Sequence, residues 1–99
     1  MTKKLESDFE PEFIRELDEA MPGGLFIKGN SAMRQGFPDR LFLHEGHWAA
    51  FEVKRDGKAS KRPNQEHYIE ELNEMSYASF VTPENYKEVV REVQAAFGG

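Results

Sequence analysis

Two short apolar runs, Arg40 to His44 and Trp48 to Lys54, flank the dipeptide Glu45-Gly46, and no other feature constrains the fold as tightly. Glycine tolerates positive φ, so Glu45-Gly46 reads as the two-residue turn of a β-hairpin. Pairing is then symmetric about the turn, with His44 opposite His47 and Asp39 opposite Glu52. Successive strand side chains alternate between faces. Leu41, Leu43, Trp48 and Ala50 share one face, and Phe42, Ala49 and Phe51 share the other. A hairpin that is apolar on both faces is an interior one, covered on both sides. A slip of one residue would turn every one of these side chains to the wrong face.

The rest of the chain supplies the cover. Phe9, Phe13, Ile14 and Leu17 recur at helical spacing. Ser7 and Glu10 form an S-x-x-E pattern, read as an N-cap with its reciprocal partner, which would leave Pro11 tolerable near the first turn. Met21-Pro22-Gly23-Gly24 ends that helix, and Leu25-Phe26-Ile27 follows as a short strand. The spacing predicts a helix from Asn64 to Met75, with Gln65, Tyr68, Ile69 and Leu72 on one face, and a strand from Tyr77 to Val81. Thr82-Pro83-Glu84-Asn85 opens a last helix with a hydroxyl cap and Pro in the first helical position, running to about Phe97. The order is α-β-β-β-α-β-α, an α/β domain with a mixed sheet flanked by helices. The 99 residues make one domain, with residues 1–5 expected as a frayed terminus.

Composition narrows the chemistry. No cysteine is present, which excludes disulfides, thiolate nucleophiles, Cys-ligated zinc, thioether-linked haem and iron–sulfur clusters. No apolar run approaches the ~20 residues of a membrane span, and no signal-peptide pattern opens the chain, so the expectation is a cytoplasmic protein without a membrane partner. The net charge is −5. It is unevenly spread: residues 28–62 carry 8 basic and 4 acidic side chains, between two acidic flanks. A locally basic middle is what phosphate binding requires and what the overall charge conceals.

Asp39 and Glu52, opposite each other in the expected register, would repel across the strand pair. A divalent cation between them removes that cost. Hard cations such as Mg²⁺ take one or two carboxylates and fill the remaining positions with water and substrate phosphate. Lys54 lies on the same face as Glu52, two residues on. A cation that acidifies water beside a lysine that stabilises phosphate charge suits phosphodiester hydrolysis.

Gly36-Phe37-Pro38-Asp39-Arg40, Glu52-Val53-Lys54 and Arg62-Pro63-x-Gln65, in this element order, resemble the VRR-NUC (virus-type replication–repair nuclease) domain of the PD-(D/E)xK superfamily. The likeness runs from about Glu6 to the C-terminal helix. It implies a restriction-endonuclease-like core and DNA cleavage dependent on Mg²⁺ or Mn²⁺. Carried over by position, it implies Asp39, Glu52 and the Val53 carbonyl as metal ligands, Lys54 as the catalytic lysine and Gln65 facing the site from the next helix. It also implies a metal-binding glutamate on the first helix. Glu6 fits that pattern best, with Glu10 and Glu12 as rivals. Lys28 falls where the family often has a lysine. Arg34, Arg40, Lys58, Lys61 and Arg62 would contact phosphates, and Phe37 is the aromatic most suited to face DNA. Stand-alone members of this family resemble Holliday-junction resolvases, which implies branched DNA as substrate and a homodimer with two active sites. A compact nuclease of this kind is often phage- or mobile-element-derived, which would make the host cytoplasm its location.

Other signals carry less. His44 and His47 lie on the face opposite Asp39 and read, with His67, as surface residues rather than a zinc site. Trp48 and most of the eight Phe read as core. Competing functions are a monomeric flap or nicking nuclease, an inactive DNA-binding or adaptor domain of the same fold, and a protein-interaction module using the acidic C-terminal helix with Glu84, Glu88 and Glu92.

Overall fold

The β-hairpin forms with the expected turn and register. The structure is a computed structural model that describes residues 6–29, 36–56 and 63–98, with side chains from Phe9 in the first stretch and from Asn64 in the last. Strand β2 (Arg40–His44) runs antiparallel to β3 (His47–Val53), pairing Arg40 with Phe51 and His44 with His47. Glu45 has φ 51° and Gly46 φ 83°. Two successive positive-φ residues are the signature of a type I′ turn, whose twist matches that of the strands it joins.

Around the hairpin the remaining elements follow the expected order: α1 (Glu6–Ala20), β1 (Leu25–Lys28), α2 (Pro63–Met75), β4 (Tyr77–Val81) and α3 (Tyr86–Ala96). The described residues are thus mixed α/β, a four-stranded sheet in the order β1-β2-β3-β4 with three helices. β1 pairs antiparallel with β2, whereas β4 pairs parallel with β3. The parallel pairing requires a crossover, and α2 provides it.

The two faces of the sheet are covered as alternation demands. Phe42, Ala49, Phe51 and Val53 meet Phe9, Phe13 and Leu17 of α1 and Val89, Val90 and Val93 of α3. Phe13 sits edge-on to both Phe26 and Phe51, a packing that aromatic quadrupoles favour. On the other face Ala50 and Ala78, with Leu41, Trp48 and Phe80 partly buried beside them, pack under Ile69 and Leu72 of α2. Alanines at Ala50 and Ala78 let the helix approach the sheet closely. Leu25, Ile27 and Leu43 remain exposed. By strand alternation they share the face of Leu41, and β1 is the edge of the sheet among the described residues.

Two helix starts differ from expectation. α1 already includes Glu6, so Ser7 lies inside the helix and is not its N-cap, and Pro11 falls past the first turn. The carboxylate of Glu10 is drawn to Arg40 instead of to the helix terminus. At α3, Thr82 and Asn85 form a reciprocal pair: the Asn85 N–H donates to Thr82 Oγ1 at 3.2 Å and the Thr82 N–H donates to Asn85 Oδ1 at 2.7 Å. The Thr82 hydroxyl therefore closes a turn over 83–85 and does not cap α3, which begins at Tyr86 and leaves Pro83 outside the helix.

Glu45 is the one described non-glycine residue held at positive φ. A left-handed conformation costs an ordinary L-residue roughly 1–2 kcal/mol and asparagine less. Glu45→Asn is expected to raise stability by about 0.5–1 kcal/mol, read as a higher thermal midpoint with an unchanged circular dichroism spectrum.

Candidate functional site

Opposite the hairpin turn, at the other end of β2 and β3, the polar residues gather. β3 ends at Val53, and the Lys54 N–H continues the parallel ladder by donating to the Val81 carbonyl at 2.8 Å. Lys54 is thereby fixed as an extension of the strand, and its side chain alternates to the same face as Glu52, toward α2. There Gln65, 9% exposed, sits in the first turn of the helix. Lys54 Nζ donates to Gln65 Oε1 at 2.9 Å, and Gln65 Nε2 donates to Glu52 Oε2 at 3.2 Å. One amide uses its acceptor on the lysine and its donor on the carboxylate. It spaces the two charges and orients both.

Asp39 stands one residue before β2, where continuing the β2–β3 register by one step sets it alongside Glu52. Its own carbonyl is tied to the end of β1 by the Gly29 N–H at 2.6 Å. The preceding loop is packed on α2. Pro38 is buried, and Phe37 meets Tyr68 edge-on, with ring centres 5.2 Å apart. Phe37, expected as an aromatic facing DNA, thus serves as a clasp between this loop and the helix that carries Gln65. Gly36 has φ 86°, and a Cβ there would come within 2.6 Å of the Asn64 Cβ.

Asp39 faces a different partner from Glu52. Asp39 Oδ1 accepts from Arg40 Nη1 at 2.7 Å. Arg40 alternates to the α1 face with Phe42, and there it donates to Glu10 from Nε at 2.6 Å and from Nη2 at 3.2 Å. Glu10 is 4% exposed and Arg40 largely buried. The hydrogen bonds to Glu10 raise the Arg40 pKa above its already high ordinary value, against the opposing effect of burial. Lys28 Nζ lies 3.9 Å from Glu10, more exposed than either.

The described hydrogen bonds therefore make two groups at one end of the hairpin: Glu52, Gln65 and Lys54 on the α2 side, and Asp39, Arg40 and Glu10 reaching to α1. Arg40, expected to contact phosphates, points inward, because strand alternation sets it beside Phe42. Glu6 lies in α1, but its side chain is outside the described residues, as are Arg34, Lys58, Lys61 and Arg62. Sequence reasoning set Glu10 behind Glu6 as the helix glutamate at the site, because the capping pattern with Ser7 offered its own account of it, and did not foresee its pairing with Arg40. The signal was available: Glu10, Phe13 and Leu17 share one helical face, and a carboxylate on a buried face needs a cation.

Among the described residues no three His, Cys, Asp or Glu side chains form a ready-made metal cluster. The donor chemistry nonetheless fits a hard divalent cation. Carboxylates such as Asp39, next to the start of β2, and Glu52, near the end of β3, are the oxygen ligands that Mg²⁺ or Mn²⁺ takes, with water and phosphate oxygens completing the shell. His44 and His47 pair across the hairpin turn, stacked on Phe42 and Phe97, and His67 lies away from them on the outer side of α2. No helix among the described residues is long and apolar enough to cross a membrane. The chain matches neither a protein-family model nor a curated protein.

Gly36 and Gly23 separate the two costs of adding a side chain to a positive-φ glycine. Gly23, at φ 91°, has open space around it, whereas Gly36 abuts Asn64 and Gln65. Gly23→Ala is expected to cost about 1 kcal/mol of backbone strain. Gly36→Ala should cost about 1–3 kcal/mol more, since it also pushes the Asp39 loop off α2. Urea unfolding of both variants measures the difference.

Proposed function

We propose that this chain is a Mg²⁺- or Mn²⁺-dependent DNA endonuclease of the VRR-NUC type, with a restriction-endonuclease-like core, that cuts branched DNA such as a Holliday junction as a homodimer. The observation that carries the reading is the Glu52–Gln65–Lys54 chain of hydrogen bonds at the end of β3, beside the strand position of Asp39. An exposed salt bridge would satisfy Glu52 and Lys54 more simply. Instead a nearly buried amide holds them apart, each oriented, with the lysine charge preserved for another anion.

Asp39, Glu52 and the Val53 carbonyl would hold the cation, which when bound supplies an acidified water and offsets charge on the scissile phosphate. Lys54 Nζ would donate to the phosphate oxygen that gains charge in the transition state. Gln65 acts by holding the Lys54 ammonium at a set position relative to Glu52, so little reorganisation accompanies the reaction. Lys28, at the open end of β1, would meet the DNA backbone together with Arg34, Lys58, Lys61 and Arg62. A single chain holds one such site, and paired incisions across a junction need two. The exposed row of Leu25, Ile27 and Leu43 at the sheet edge is an apolar surface suited to a second copy.

The test is cleavage of a synthetic four-way junction and a matching linear duplex, with Mg²⁺, Mn²⁺ or EDTA. Metal-dependent cutting of the junction is expected, reduced about 10²–10³-fold in Lys54→Ala, with junction affinity retained. No cutting with any metal would reject the nuclease reading in favour of a non-catalytic DNA-binding domain. Sedimentation at micromolar concentration is expected to give a dimer that Leu25→Glu converts to monomer.

A further inference from the structure

Two carboxylates share one guanidinium at this end of the sheet. Glu10 takes Nε and Nη2 of Arg40, and Asp39 takes Nη1. Glu10 is on the helix that covers one face of the sheet, whereas Asp39 is at the mouth of the hairpin. A planar guanidinium serves both in one fixed fork, a geometry that the single rotating ammonium of a lysine would not set. Glu10 is also the most buried charged side chain described. It has no role in packing that an apolar residue would not fill better, so its charge calls for an explanation.

We infer that Glu10 and Arg40 are a positioning pair for Asp39: Glu10 anchors Arg40, and Arg40 orients the Asp39 carboxylate toward the cation site. The inference rests on the nuclease reading above and assigns Glu10 a role distinct from that of a metal ligand. Two opposed effects follow from the geometry. The guanidinium on Asp39 Oδ1 competes with a divalent cation for that carboxylate, so Arg40 weakens metal binding. The same contact fixes the rotamer of Asp39, so Arg40 favours the productive arrangement. Glu10, by drawing two of the donors back toward α1, limits the competition. Removing the Glu10 charge frees Arg40 to bind Asp39 more fully.

The variants Glu10→Gln, Arg40→Gln and the double variant test this through two readouts: Mn²⁺ affinity by calorimetric titration without DNA, and the rate of junction cleavage at saturating Mn²⁺. Arg40→Gln is expected to bind Mn²⁺ about fivefold tighter, from the loss of one nearby positive charge, yet to cleave at least tenfold more slowly. Glu10→Gln is expected to bind Mn²⁺ several-fold more weakly. In the double variant Mn²⁺ affinity should match Arg40→Gln within about twofold, because Glu10 acts only through Arg40. Tighter metal binding with slower turnover is a signature that a purely structural ion pair would not produce. If Glu10→Gln weakens Mn²⁺ binding equally in both backgrounds, Glu10 contacts the ion itself and the assignment falls. Unchanged affinity and rate in Arg40→Gln overturn it as well. Arg40→Gln leaves the buried Glu10 carboxylate without its main partner; should it not fold, comparing the double variant with Glu10→Gln reads the Arg40 effect in a neutral pair, where tighter Mn²⁺ binding is again required. A wild type that neither binds Mn²⁺ nor cuts DNA overturns the nuclease reading and this assignment together, whereas an active wild type with equal Glu10→Gln effects overturns this assignment alone.

Discussion

Everything in this molecule hangs on the register of the β2–β3 hairpin. A two-residue turn at Glu45-Gly46 pairs Arg40 with Phe51 and, with it, settles which side chains face α1 and α3 and which face α2. Because the side-chain period of a strand is two, the register is all or nothing. Shifted by one, Phe42 and Phe51 would leave the larger core and Glu52 and Lys54 would leave Gln65. The buried aromatics thus enforce the geometry of the polar end. Truncating a side chain such as Phe13, fully buried against Phe51, would cost about 3–5 kcal/mol in the core and loosen the platform beneath the site.

The polar end has its own logic, which is separation of like charges by intermediaries. Asp39 and Glu52 stand on adjoining strands and are kept compatible by different partners: a guanidinium for one, an amide for the other. The guanidinium is in turn balanced by Glu10 on α1, and the amide by Lys54. The helix on each side of the sheet therefore contributes one residue that organises the strand ends. Losing Arg40 would leave the buried Glu10 with only the more exposed Lys28 near it, at a cost of up to about 3–5 kcal/mol. That coupling joins fold stability to the arrangement of the site.

Much of this was legible in the residues. The turn, the strand limits of β2 and β4, the two faces of the hairpin, and Gln65 on the sheet-facing side of α2 all follow from local periodicity and turn chemistry. The pairing of Arg40 with Glu10 was not foreseen, although each residue carries a clue. Arg40 reads as a surface arginine next to an acidic motif, and only its alternation with Phe42 argues that it points inward. Glu10 satisfies a capping pattern with Ser7, and that local explanation hid its place on the buried face. Phe37 looked available to a ligand because it lies in a loop, yet Tyr68, thirty-one positions later, takes it up.

The sequence by itself determined the element order, the hairpin register and hence the shared face of Glu52 and Lys54. These depend on interactions between residues close along the chain, where spacing alone sets geometry. Tertiary structure decided which partner each charged group meets: Glu10 for Arg40 across thirty residues, and the Gln65 amide for Lys54 across eleven. The physical reason is that a charge in water needs no particular partner. Only when helices close over the sheet does desolvation oblige each buried charge to find one, and which one depends on where α1 and α2 come to rest.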